Sequence, residues 1–177
     1  MALVAEEAMF VNSLTCQKMS NVIQPRRPRS AHDKRIFKIV ASQFNQSYVQ
    51  GLVDHASAEL RALVASATIS LERVPGAFEI PVVVRELAFQ EKPDAIIACG
   101  VILKGETSHA ENLSRSVTDA LQRIAVEHGV PVINAVLSFD DEDQARERCL
   151  EDNINRGTEA GRAAVDIANV MSDLRAK

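Results

Sequence analysis

Asp94 to Val101 reads Asp-Ala-Ile-Ile-Ala-Cys-Gly-Val, a run that is apolar on both faces of an extended chain. A strand of that composition has no face to offer water, so it belongs at the centre of a parallel sheet with helices above and below. The rest of the chain supplies the neighbours. Ile36 to Ser42 and Val130 to Leu137 are further short apolar runs, while Thr68 to Val74 alternates Ile69 and Leu71 with polar residues, as a more exposed strand does. Between them run helical periodicities: Tyr48, Leu52, Ala56, Leu60 and Leu63 recur at spacings of three and four, and so do Leu113, Val117, Leu121 and Ile124.

Turn chemistry punctuates this pattern. Pro75-Gly76 breaks the strand ending at Val74, and Pro81 suits the first turn of a helix running through Leu87 to about Gln90. Gly129 follows His128 as a left-handed helix cap, and Pro131 sits at a strand start, where its missing N–H costs little. Asp140 and Asp141 offer a cap for a helix through about Glu151, and a last helix from about Gly157 is expected to bury Ala160, Ala164, Ile167 and Met171. Strands alternating with helices through right-handed crossovers define an α/β class. The expected fold is a flavodoxin-like three-layer α/β/α sandwich on a parallel sheet of about four strands.

The 177 residues, 46% hydrophobic and 25% charged, suffice for one compact domain without disulfides or structural metal. That domain is placed at residues 36–177. Residues 1–35 break the pattern: Gln24-Pro25-Arg26-Arg27-Pro28-Arg29-Ser30 neither continues a helix nor joins a sheet interior, so the segment reads as an N-terminal arm or disordered leader. Glu6 and Glu7 sit badly with an organelle transit peptide, which is usually acid-poor. No run approaches the ~20 apolar residues of a membrane span, and a net charge of −4 argues against a general nucleic-acid surface. Cys16, Cys99 and Cys149 lack metal-like spacing, the histidines make no metal motif, and a reducing cytoplasm is the simplest setting.

Three segments fall at strand carboxyl ends, where the ligand crevice of such a fold lies. They are Gln43-Phe44-Asn45, Val74 to Pro81, and Gly100 to His109. The third turns through Gly105 and delivers His109 onto a first helical turn, where free N–H groups and the positive dipole end favour a phosphate. His109 adds a side chain able to trade protons near neutral pH. Thr107, with the N–H groups around Gly105 and Glu106, either cradles that anion or caps the helix. Glu79 likewise either accepts hydrogen bonds from ligand hydroxyls or caps the helix it begins. Phe44 by itself reads as ordinary packing before it reads as a platform for a planar ring. Arg148, beside Arg146 and Glu147 on a charged helix face, reads as solvated, although its planar fork suits a phosphate.

Taken in order, Val74-Pro75-Gly76-Ala77-Phe78-Glu79-Ile80-Pro81, Gly105-Glu106-Thr107-Ser108-His109, Gly129-Val130-Pro131-Val132, Gln144-Ala145-Arg146-Glu147-Arg148 and Asn155-Arg156-Gly157 resemble the motifs of the lumazine synthase family. The resemblance spans about Ile36 to Ala168. It implies condensation of 5-amino-6-(ribitylamino)uracil with 3,4-dihydroxy-2-butanone 4-phosphate, giving 6,7-dimethyl-8-ribityllumazine, phosphate and water in the penultimate step of riboflavin biosynthesis. It further implies no metal or organic cofactor, a homo-pentamer with active sites between subunits, pentamers that in some members close into icosahedral shells, and a functional link to riboflavin synthase. Carried across by motif, Phe44 would stack on the pyrimidine ring, Ala77, Phe78 and Glu79 would hold the ribityl chain and ring edge, and Val101, Ile102 and Leu103 would line the ring site. Glu106 and Thr107 would contact the butanone phosphate through the turn, Arg148 would pair with it, and His109 would transfer protons.

The resemblance has departures. Asn134 stands where the family often has an aromatic residue reaching the neighbouring subunit's ring site, so that site is expected to be one-sided. Asp152 occupies a commonly basic position, and Ala110 replaces a common aromatic. A ligand-binding or shell-forming paralogue is the competing reading, against which the retained His109 and Arg148 favour an enzyme. A flavodoxin-type electron carrier would share the fold, but the segment after the first strand offers no convincing FMN phosphate loop.

Overall fold

Three apolar runs and one alternating segment form strands in a computed structural model that describes residues 34–105 and 107–176. The strands are β1 (Ile36–Ser42), β2 (Thr68–Val74), β3 (Ala95–Leu103) and β4 (Val132–Phe139). All pairings are parallel, in the order β2-β1-β3-β4. The doubly apolar run is central, as its composition requires, and Ala95 to Ile102 are all buried. β2, the strand with alternating polarity, lies at one edge. Of the expected arm, residues 1–35, all but Lys34 and Arg35 lie outside the described residues. Arg35 is tied to the domain, its guanidinium pairing with Asp94 at 2.9 Å and its carbonyl accepting from Thr68 N at 2.8 Å.

Five helices complete the layers: α1 (Gln46–Leu63), α2 (Ile80–Gln90), α3 (His109–His128), α4 (Glu142–Cys149) and α5 (Arg156–Arg175). Side chains of β3 alternate between two cores. Ile97, Cys99 and Val101 join Leu52, Leu60 and Ala164 under α1 and α5, whereas Ile96, Ala98 and Ile102 join Val84, Val117 and Leu121 under α2 and α3. This is the flavodoxin-like three-layer sandwich. Local signals act where the sequence puts them: Pro81 lies in the first turn of α2, the Asp141 carboxylate accepts from Gln144 N at the start of α4, and Gly129 ends α3 at φ 63°. None of the described helices is long and apolar enough to cross a membrane.

Several boundaries differ from expectation. β3 and β4 start and end later than the apolar runs suggest, because they pair with each other out to Leu103 and Phe139, and pairing keeps both extended. α4 stops at Cys149 rather than near Glu151, because the carbonyls of both residues accept hydrogen bonds from the Asn155 side chain. In α5 the buried stripe is Gly157, Ala160, Gly161, Ala164, Val165 and Ala168, leaving Ile167 and Met171 half-buried. Small residues win that face because α5 lies directly on α1. A Cβ added at Gly157 would stand 2.3 Å from Leu52 O, and one at Gly161 2.9 Å from Ala56 O.

Candidate active site

The strand order reverses between β1 and β3, the point at whose carboxyl ends a sheet of this kind takes its ligand. The loop after β1 is clamped there. Gln43 N donates to Val74 O at 2.9 Å, Phe44 N to Pro75 O at 3.3 Å, and Asn45 Nδ2 to Val101 O at 2.8 Å. β1 pairs with β3 only as far as Cys99, so Asn45 serves a carbonyl beyond the last rung. Asn45 itself is left-handed, at φ 55° and ψ 43°, a conformation asparagine tolerates better than most residues. The sequence reading missed its tie to Val101, although asparagine just ahead of a helical periodicity was a usable signal.

With its backbone held, the Phe44 ring projects outward and is 73% exposed. It is therefore not a packing residue in the single chain. Phe78, in the short turn Ala77–Glu79, is 67% exposed, while Ala77 is buried beneath it. Glu79 resolves toward one of its two readings: it makes no side-chain cap bond to α2, and its carboxylate is free of hydrogen-bond partners among the described residues. A Cβ at Gly76 would meet Glu79 Oε2 at 2.9 Å and the Phe44 ring at 3.7 Å, so the missing side chain leaves room for both. Val101 and Ile102 are buried and Leu103 is half-buried at the end of β3.

At the next loop His109 is the first residue of α3 and is exposed, as are Gly105, Thr107 and Ser108. Thr107 Oγ1 accepts from His109 N at 3.4 Å, a weak bond that leaves the turn open, and Ser108 supplies no side-chain cap. Unsatisfied N–H groups at this end are what an anion would use. A hollow of about 600 Å³ lies here, lined by Gly105, Thr107, Ala110, Arg115, Ser138 and Phe139 among others. Glu106 is outside the described residues.

Arg148 and Asn134 lie elsewhere, in a groove of about 560 Å³ between β4 and the α4–α5 joint, together with Gln144, Arg156 and Glu159. Arg148 is half-buried and has no ion-pair or hydrogen-bond partner among the described residues, unlike Arg146, which pairs with Asp143. A half-buried, unpaired guanidinium in a groove is a better anion ligand than the solvated helix charge its sequence context suggests. Asn134 turns back on its own chain: Nδ2 donates to Thr118 Oγ1 at 3.1 Å, and Oδ1 accepts from Val136 N at 3.0 Å on the open edge of β4. One chain thus gathers Phe44, Gly76 and Glu79 at one place, Gly105, Thr107, Ser108 and His109 at a second, and Arg148 with Asn134 at a third. Ser138 and Phe139 border the last two.

Among the described residues the two cysteines, Cys99 and Cys149, are free and buried. Burial pushes the Cys99 and Cys149 thiols up from their ordinary value of 9.0 to about 12, which keeps both protonated.

Comparison with known proteins places this geometry in context. The family described as 6,7-dimethyl-8-ribityllumazine synthase matches residues 34–172. A protein of that name from Azoarcus sp. is 39% identical over 138 residues, covering 77% of this chain and 86% of its own length. One from Nitrosomonas europaea is 40% identical over 137 residues, 77% of this chain and 81% of the relative. One from Chromobacterium violaceum is 35% identical over 158 residues, 89% and 99% of the two chains.

Proposed function

Because this chain belongs to the 6,7-dimethyl-8-ribityllumazine synthase family, we propose that it joins 5-amino-6-(ribitylamino)uracil to 3,4-dihydroxy-2-butanone 4-phosphate, releasing phosphate and water, in the cytoplasm. The observation that carries this reading is the match to that family over residues 34–172, which contains every residue assigned a role. The geometry adds support: an exposed aromatic ring and a free carboxylate stand over Gly76, and an open helix start carries a histidine.

In this reading the pyrimidine ring stacks on Phe44 and the ribityl hydroxyls donate to the Glu79 carboxylate. The butanone phosphate sits on the N–H groups of the turn from Gly105 to Thr107, and Arg148 neutralises its charge. The 5-amino group attacks the ketone and a first water leaves as the imine forms. Phosphate is then eliminated, and the ribitylamino nitrogen attacks the carbonyl so generated, a second water leaving as the new ring closes. Each step moves a proton, and His109 serves as acid and base in turn. Holding two substrates in contact supplies several kcal/mol of acceleration by itself.

Arg148 and the Gly105 turn line different hollows of one chain, which share only Ser138 and Phe139, and this supports a site completed between subunits, in a pentamer. Two exposed phenylalanines, Phe44 and Phe78, and an open β4 edge are surfaces that such an assembly would cover. Mixing the purified protein with both substrates and following lumazine absorbance and fluorescence tests the reaction. A protein that binds the pyrimidine yet forms no lumazine would be the non-catalytic paralogue instead. Mass measurement in solution tests the assembly, and a monomer with full activity would overturn the shared site.

A further inference from the structure

Asn155 is fully buried in the joint between α4 and α5, and every hydrogen-bonding position of its carboxamide is filled. Oδ1 accepts from Gly157 N at 2.9 Å and Thr158 N at 3.3 Å, which caps α5. Nδ2 donates to Cys149 O at 3.1 Å and Glu151 O at 3.0 Å, carbonyls left over where α4 ends. One side chain thereby ties the last turn of one helix to the first turn of the next. The joint has little freedom to slide, because α1 backs it on both sides. A Cβ at Gly51 would stand 2.4 Å from Cys149 O, and one at Gly157 2.3 Å from Leu52 O.

Arg148 immediately precedes Cys149, and Arg156 immediately follows Asn155, and both line the groove beside β4. Arg156 is held by Glu159, whereas Arg148 has no side-chain partner among the described residues to fix its place. Its position is set only by the backbone of the α4 end. That backbone is what Asn155 Nδ2 grips, one residue further on.

We propose that Asn155 is the positioning residue for Arg148, acting through the Cys149 and Glu151 carbonyls to hold that guanidinium on an anion in the groove. The inference rests on the reading of Arg148 as the ligand of the substrate phosphate. Cap and tie are separable. Asn155→Ser keeps an oxygen for the α5 cap but lacks an NH₂ to span two carbonyls, and Asn155→Asp keeps the cap and the shape while facing those carbonyls with oxygens.

The test is steady-state kinetics of the full chain with each substrate varied in turn, inhibition by inorganic phosphate, and a thermal midpoint for each variant. A misplaced guanidinium should raise KM for the butanone phosphate about tenfold in either variant, given that shifts near 1 Å cost up to ~10²-fold in positioning. The Ki of inorganic phosphate should rise in parallel, while KM for the pyrimidine stays within about twofold of the unmodified chain. A folded Asn155→Ser or Asn155→Asp variant whose phosphate-dependent constants are unchanged overturns the inference alone. So does a loss shared equally by both substrates, or failure of both variants to fold, since either makes Asn155 merely structural. An unmodified chain that forms no lumazine overturns the functional reading and this inference with it.

Discussion

Gly157→Ala places one methyl group where two backbones already touch. The added Cβ would lie 2.3 Å from Leu52 O, 2.9 Å from Leu52 Cα and 3.0 Å from Asn155 Oδ1. The first two atoms are main chain of α1 and cannot swing aside as a side-chain tip would. α5 must therefore lift off α1, loosening the contacts of Ala160, Ala164 and Ala168 in the core beneath. Overpacking of this kind costs about 3 kcal/mol, the upper end of the usual range. Replacing glycine by alanine in a helix returns about 1 kcal/mol. The net loss of about 2 kcal/mol should lower the thermal midpoint by roughly 4–8 °C for a chain of this length. Gly105→Ala is the matched control, because nothing lies within 4 Å of its added Cβ, and its midpoint should stay within about 2 °C of the parent's. Both variants are read by circular dichroism during heating. A Gly157→Ala midpoint equal to or above the parent's would refute the argument that backbone contact sets the spacing of α1 and α5.

Other predictions concern the site and its surroundings. His109→Ala should slow turnover at saturating substrates by about 10²–10⁴-fold without abolishing it, and a variant at full rate would remove His109 from the mechanism. Arg148→Gln should raise KM for the butanone phosphate by roughly ten- to a hundredfold, the loss of a charge-assisted pair. Its thermal midpoint should not move, since Arg148 has no partner among the described residues. Asn134→Phe should tighten lumazine binding by about threefold to tenfold if the ring site is one-sided, and calorimetry showing equal affinity would contradict that. The Cys99 and Cys149 thiols ionise near 9.0 when unfolded but only at about 12 when buried. The unfolded chain therefore releases these protons first, so stability should be full below about pH 9 and fall as pH rises toward 12. Denaturant titrations at pH 8 and pH 10.5 measure this, and a Cys99→Ala, Cys149→Ala double variant should show a flatter profile.

How much of the molecule was legible depends on the range of the cause. A doubly apolar run from Asp94 to Val101 demanded a covered central strand, and β3 is one. Pro81, Gly129 and Asp141 acted within a few residues of themselves, through fixed φ, tolerated positive φ and a side-chain cap, and so are readable from neighbours alone. The start of α3 at His109 is of the same kind, a boundary set by the apolar periodicity that begins just after it.

Tertiary structure decided what depends on distant partners. Pattern reads Phe44 as packing and Arg148 as solvated. The fold leaves the first exposed because loops after β1 and β2 clamp its backbone, and turns the second into a groove against β4. Asn45 finds Val101 across 56 positions, and Glu79 loses its capping reading only once its carboxylate is seen over Gly76. Ile167 and Met171 yield the buried face of α5 to glycine and alanine because α1 lies too close for larger side chains. Sequence by itself determined which segments are strands and helices and where their caps and breaks fall, since those follow from hydrogen bonds and dihedrals within one turn of chain. Which side chains face one another at the strand ends and in the groove was left to packing, because that depends on how separate elements close against each other.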